Sequence, residues 1–256
     1  MKKSRNDRNA RRSKYSAWQR FRIYADLCVT SGFIPKRIPW VVRLGKALAR
    51  LWAFVQIGEV KVVGAEHLNA EGNKIFCPNH SSLLDAIAVT PLMPDRMHYM
   101  SAVEEMRGMF GLKAIIMDSM GCFPVDRSRG KTVIQPAIDL LASGNNIMIF
   151  PEGKISPSGE YLRFKSGPAR ISIGAYKKLE GREPVALVPM HICYGTRDEK
   201  SALNFGKMFL RWRKGVTVTI DPPIYLHTVE PLDAATLIDL LRHDITDAVC
   251  DTTSGG

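Results

Sequence analysis

From Gly58 onward the chain alternates short apolar runs with longer segments whose apolar residues recur at helical spacing, and this alternation narrows the accessible folds more than any other feature. Runs over 59–63, 74–77, 98–101, 122–125, 147–150, 185–194 and 216–220 read as strands, and 83–90, 103–120, 132–142, 166–179 and 232–250 as helices. Strands joined by helices rather than hairpin turns give the α/β class, here a mixed sheet flanked by helices. The 256 residues allow one such domain or two small ones, with a substantial core either way.

The chain ahead of that body has a different composition. Of a net charge of +11, +8 falls within residues 1–22, where nine Lys and Arg face one Asp. Residues 1–13 are expected to form a basic disordered tail, attracted to acidic lipid or nucleic acid or simply solubilising. Residues 14–57 are expected to be an amphipathic helical segment that docks on a membrane, with 58–256 forming the α/β domain. Over 38–57, Arg43, Lys46 and Arg50 share one helix face, while Trp40, Val41, Leu44, Leu48, Leu51, Trp52 and Val55 share the other. A basic stripe beside a broad apolar face suits a helix lying in a lipid interface. The same pattern also suits a helix packed on the protein's own core with its cations reaching out to water.

Several classes are disfavoured. No run of 18 uncharged apolar residues exists, so no transmembrane helix is expected, and no apolar stretch follows the basic start as a secretory signal requires. Five dispersed cysteines without a CxxC pair argue for a reducing compartment and against a disulfide framework or a zinc site. Nucleotide-binding glycine loops of the GxxxxGK[ST] or GxGxxG kind are missing too. The expectation is therefore no metal and no bound cofactor.

Chemistry is concentrated in Asn79-His80-Ser81-Ser82-Leu83-Leu84-Asp85, between a strand-like run and a helix. A Ser followed three residues later by an acid is a helix-start signal, so Ser82 is expected at the N-cap and Asp85 in the first turn. His80 on the preceding loop can fold back so that Asp85 accepts from one ring nitrogen and leaves the other as a general base. The spacing equally serves a bare capping box with His80 as a loop residue. Three further polar clusters fall where strands end: Gly121 to Arg127, Phe150-Pro151-Glu152-Gly153, and Tyr161 to Gly167 with Arg163 and Lys165. Ligands in α/β sheets bind beyond the strand C-termini. Arg127, Lys165 and a helix start near Gly167 would suit a phosphate there. The Met-rich stretch over 103–120 reads as core filler or as an adaptable acyl groove.

Asn79-His80 with Asp85, Gly121 to Arg127, Phe150-Pro151-Glu152-Gly153 and Val188-Pro189-Met190 resemble, in order and spacing, the four blocks of the glycerolipid acyltransferases typified by bacterial lysophosphatidate acyltransferase. The resemblance runs from about 58 to 194. It implies transfer of a fatty acyl group from a coenzyme A or acyl carrier protein thioester to the hydroxyl of a lysophospholipid, most simply lysophosphatidate to phosphatidate. His80 and Asp85 are then catalytic. Arg127, Glu152, Gly153, Lys154 and Lys165 become substrate-binding candidates, and Asn79, Gly121, Phe150, Pro151 and Pro189 support the motifs. Candidate oxyanion donors are backbone N–H groups near His80 or in the turn holding Gly153. The family's usual Thr-Arg after Phe-Pro-Glu-Gly is here Lys154-Ile155, which opens the alternative of another lysophospholipid or an aminolipid as acceptor. An acceptor that lives in a bilayer implies peripheral or monotopic attachment to the cytoplasmic face of an anionic membrane, with no nucleic-acid partner. A Ser hydrolase using Ser81 or Ser82 lacks its G-x-S-x-G elbow.

Overall fold

The structure, a computed structural model, describes residues 15–156, 160–194 and 215–247, leaving aside the side chains of 129–131. The expected basic tail over 1–13 lies outside the described residues. Helix α1 (Ala17–Cys28) opens with a capping box, in which the Ser16 hydroxyl accepts the Gln19 N–H and the Gln19 side chain accepts the Ser16 N–H. Helix α2 (Pro39–Gln56) begins with proline at a position where the missing N–H would have had no partner anyway.

Eight strands form one mixed sheet among the described residues: β1 (Val60–Val63), β2 (Asn73–Pro78), β3 (Met97–Ala102), β4 (Cys122–Val125), β5 (Asn146–Met148), β6 (Val185–Cys193), β7 (Val216–Ile220) and β8 (Ile224–Tyr225). Their order is β1-β7-β6-β2-β5-β3-β4, with β8 beside β6. Strands β6, β2, β5, β3 and β4 run parallel, whereas β7 and β8 are antiparallel to β6 and β1 follows β7. Parallel neighbours need crossovers, supplied in turn by α3 (Leu84–Val89), by α4 (Val103–Met106) with α5 (Leu112–Ser119), by α6 (Ile134–Ala142) and by α7 (Gly167–Leu179). Helix α8 (Ala234–Asp247) closes the described fold.

Strand β2 is buried along its whole length, and after Asn73 and Lys74 its residues are all apolar. Its side chains still alternate. Ile75 and Cys77 enter the core with Ala137, Ile171 and Leu241 of α6, α7 and α8, while Phe76 enters the core with Ala53, Leu84 and Ala88 of α2 and α3. Pro189 sits in β6 opposite Cys77, an unusual place for a residue that cannot donate to a ladder. It falls between the stretch of β6 paired with β8 and the stretch paired with β7, and its carbonyl accepts the Asp221 N–H just past β7.

Three expectations need correcting. The single helix over 103–120 is broken, because Gly108 and Gly111 adopt positive φ around a 3-10 turn, Met109–Gly111, that exposes Phe110. The strand expected over 147–150 ends at Met148, since Phe150-Pro151-Glu152-Gly153 is a turn in which the Gly153 N–H donates to the Phe150 carbonyl. Cys28, Cys77 and Cys122 are free thiols, but Cys193 is disulfide-bonded, so the cysteines do not all stay unpaired.

Helix α2 turns its small residues inward. Val42, Ala49 and Ala53 are buried, while Trp40, Leu44, Leu48, Leu51, Trp52 and Phe54 are exposed. Lys46 leaves the basic stripe and ties the helix to the body, donating to the Met93 carbonyl at 2.6 Å and pairing with Asp95 at 3.2 Å. None of the described helices is long and apolar enough to cross a membrane.

Candidate active site

The parallel register puts the C-terminal ends of β2, β4, β5 and β6 along one edge of the sheet, and the chain leaves β2 there through Asn79. The Asn79 amide donates to the Ile192 carbonyl at 3.2 Å and accepts the Ile192 N–H at 2.7 Å, clasping the loop to β6. His80 follows, with its ring stacked on Phe150 at 4.1 Å between centroids. Its Nδ1 lies 2.9 Å from Asp85 Oδ2. Asp85 is wholly buried, so the fold brings the sequence-predicted pair into direct contact.

The helix start carries the expected cap. Ser82 supplies it: its hydroxyl accepts the Leu84 N–H, its carbonyl takes the Asp85 N–H, and Asp85 accepts the Ser82 N–H in return, while Leu83 already has helical backbone angles. Asp85 stands in the first turn. Its Oδ2 accepts the N–H groups of Ser81 at 2.7 Å and Ser82 at 2.8 Å as well as the His80 ring. With Asp85 accepting from Nδ1–H, His80 Nε2 carries a lone pair, and it has no hydrogen-bond partner among the described residues.

Glu152 is also buried. One carboxylate oxygen accepts the His80 N–H at 2.7 Å and the other the Leu162 N–H at 2.9 Å. Burial pushes this carboxyl above its ordinary range, opposed by the N–H donors from Leu162 and His80. The residue therefore braces the backbone under the imidazole and joins it to the loop of residues 160–165. The Ser156 N–H adds a second brace by donating to the His80 carbonyl at 3.2 Å.

The cations are spread along the same edge. The Lys165 N–H donates to the buried Pro151 carbonyl at 2.9 Å, and its ammonium lies so close over Gly153 that a Cβ there would stand 2.5 Å from it. Gly153 has φ +70°, a backbone conformation that favours glycine, whereas the exposed Lys165 side chain could swing away from a Cβ. Lys154, Arg163 and Lys165 are exposed. Arg127, also exposed, follows β4, which the strand order sets three positions from β2, roughly 14 Å at the usual strand spacing. Gly121 serves the sheet: it is buried at φ +91°, and its carbonyl takes the Tyr99 N–H.

The expected oxyanion donors are mostly committed elsewhere. The N–H groups of His80, Ser81, Ser82 and Gly153 go to Glu152, Asp85, Asp85 and Phe150. In the same turn, Lys154 and Ile155 donate no backbone hydrogen bond among the described residues. Sequence reading missed one group altogether. The Tyr194 hydroxyl donates to Asp85 Oδ1 at 2.7 Å, across 109 residues, and no local spacing could have shown it. Among the described residues, no group of His, Cys, Asp and Glu could hold a metal ion.

The description Acyltransferase fits residues 59–193 as a protein family. The chain is 24% identical over 202 residues to the curated 1-acyl-sn-glycerol-3-phosphate acyltransferase alpha of Mus musculus, covering 77% of this chain and 66% of that protein. To the alpha enzyme of Homo sapiens it is 25% identical over 203 residues, again 77% and 66%. The chain thus spans just under two thirds of the length of these relatives. A solved structure, described as the 1-acyl-sn-glycerophosphate (LPA) acyltransferase PlsC from Thermotoga maritima, has a similar fold, with a TM-score of 0.59, 20% identity, and coverage of 84% of this chain and 79% of that one.

Proposed function

The chain belongs to the acyltransferase family, and from that premise we propose that it transfers a fatty acyl group from a coenzyme A or acyl carrier protein thioester to the free hydroxyl of lysophosphatidate, giving phosphatidate. The observation that carries the mechanism is the buried Asp85 carboxylate on His80 Nδ1, with Nε2 left open. Nε2 takes the proton of the acceptor hydroxyl as its oxygen attacks the thioester carbonyl. The tetrahedral intermediate collapses, the C–S bond breaks, and the imidazolium returns the proton to the departing thiolate. Atoms and charge balance without an acyl-enzyme.

Asp85 holds the ring in the tautomer this step needs and offsets the positive charge that forms on it. Glu152 and Phe150 fix the backbone and the ring plane. The N–H groups of Lys154 and Ile155 are the donors proposed for the oxyanion. Arg127, Lys154 and Lys165 supply positive charge for the acceptor phosphate, with Lys165 standing over Gly153 in compensation for the missing arginine of the usual Thr-Arg pair. The outward apolar face of α2 suits docking in the interface where the acceptor resides, and the excess basic charge suits an anionic surface.

The test is thiol release from palmitoyl-CoA, or from palmitoyl acyl carrier protein, by purified protein in detergent with a panel of acceptors. Release that requires lysophosphatidate supports the proposal. Preference for a lysophospholipid with a head group, or for an aminolipid, would overturn the acceptor assignment and trace to Lys154-Ile155. Failure with both donors and every acceptor would overturn the activity.

A further inference from the structure

We propose that Tyr194 is a positioning residue for the base, locking the Asp85 carboxylate and, through it, the orientation of His80. The argument starts from the two oxygens of Asp85. Oδ2 is crowded, taking the His80 ring nitrogen and the Ser81 and Ser82 N–H groups, whereas Oδ1 takes the Tyr194 hydroxyl at 2.7 Å. A carboxylate can turn about its Cβ–Cγ bond, and it stays put only if each oxygen has its own partner. With no solvent reaching Asp85, loss of the phenol would leave Oδ1 without the donor that holds it.

The chain places the phenol by sheet register rather than by local motif. Tyr194 is the first residue past β6, and β6 runs parallel to β2 with Pro78 opposite Met190. The two hydrogen bonds from the Asn79 side chain to Ile192 then fix how residues 192–194 approach the loop of His80. Burial first, and the negative charge of Asp85 second, push the Tyr194 hydroxyl well above its ordinary range. The group therefore remains protonated, a donor to Asp85, through neutral and mildly alkaline pH. Glu152 also faces the pair through the His80 N–H, and it is felt electrostatically by both His80 and Asp85.

A hydrogen bond to Oδ1 draws negative charge away from the imidazole side of the carboxylate. Removing it raises the field favouring imidazolium, so the His80 titration midpoint should move up. A stronger phenol donor should move it down. This inference rests on the reading of His80 as the base.

The experiment compares wild type, Tyr194→Phe, and protein carrying 3-fluorotyrosine at 194, a stronger donor. His80 titration is followed by NMR of labelled histidine, alongside the pH profile of kcat/KM in the thiol-release assay and the thermal midpoint. For Tyr194→Phe the expected result is a midpoint above that of wild type, with the acid limb of kcat/KM moving alike. The accompanying loss in kcat is about tenfold, with little change in acceptor KM. The fluorinated protein should shift the opposite way. An unchanged His80 titration in both variants, or an activity loss that only follows unfolded protein, would overturn the proposal. If the titration shifts as stated but no form of the protein transfers acyl groups, the Tyr194–Asp85–His80 coupling stands and the acyltransferase reading fails.

Discussion

Replacing Glu152 by glutamine separates two roles that its place in the Phe-Pro-Glu-Gly turn leaves open, an internal brace and a contact for the acceptor. The carboxylate is buried and uses both oxygens on backbone donors, His80 N–H at 2.7 Å and Leu162 N–H at 2.9 Å. Glutamine keeps one acceptor and turns the other position into an NH2, so one N–H loses its partner and faces another donor. A hydrogen bond to a charged group contributes about 1.5–3 kcal/mol, and a buried donor left unpaired costs about 1–3 kcal/mol. Against this, burial already pushes the carboxyl up, so a neutral amide escapes part of the desolvation cost. The net destabilisation of Glu152→Gln is then about 2 kcal/mol, which in a chain of this size lowers Tm by about 4–8 °C. Because one of the two donors is the backbone of the proposed base, kcat falls by about 10- to 100-fold through misplacement of His80, with the acceptor KM close to wild type. Thermal unfolding in detergent and steady-state thiol release with varied acceptor measure both numbers. A Tm equal to wild type together with a raised acceptor KM and intact kcat would refute the brace and restore Glu152 as an acceptor ligand.

Three more outcomes follow from the same geometry. Asp85→Asn places an amide among four converging donors and removes the charge that complements imidazolium, so kcat should fall by about 10²–10⁴-fold, read by thiol release with Tm as the folding check. Gly153→Ala forces a Cβ into a φ of +70° and 2.5 Å from the Lys165 ammonium; the backbone strain of about 1–2 kcal/mol should appear as a lower Tm, and the displaced lysine as a higher acceptor KM. Leu48→Glu combined with Trp52→Glu alters two exposed α2 side chains that would each contribute about 1.5–3 kcal/mol on insertion. Sedimentation with anionic vesicles should drop by at least about 100-fold in partitioning, with Tm unchanged.

Local pattern made much of the fold readable. The βα alternation past Gly58 set the class and most elements, because each strand is buried on one or two faces and each crossover helix has an apolar stripe. The 103–120 segment misled because its apolar residues continue in helical phase across Gly108 and Gly111, whose positive φ ends one helix and turns the chain before the next. Strand β8 is two residues long and owes its existence to pairing with Ala186 and Leu187, which no window of sequence reports. Within the site, the contact between His80 and Asp85 was legible because a strand–loop–helix corner brings residues five apart together. The Ser82 cap was legible for the same reason, and Asp85 adds the Ser81 N–H to the Ser82 N–H that a capping box predicts. Tyr194 was invisible since its reach to Asp85 depends on the β2–β6 register. The inward aim of the Glu152 carboxylate was hidden for a related reason: the motif identifies the residue, while the turn decides where it points.

The central claim, that His80 held by Asp85 is the base for acyl transfer without an acyl-enzyme, is tested most directly by following a radiolabelled acyl chain. Labelled palmitoyl thioester and lysophosphatidate are incubated with wild type and with His80→Ala of matched Tm, and both lipid product and protein-bound label are counted. The account predicts acceptor-dependent phosphatidate from wild type, its loss in His80→Ala, and no label on either protein. Product formation surviving in His80→Ala, or label held on Ser81 or Ser82, would contradict it.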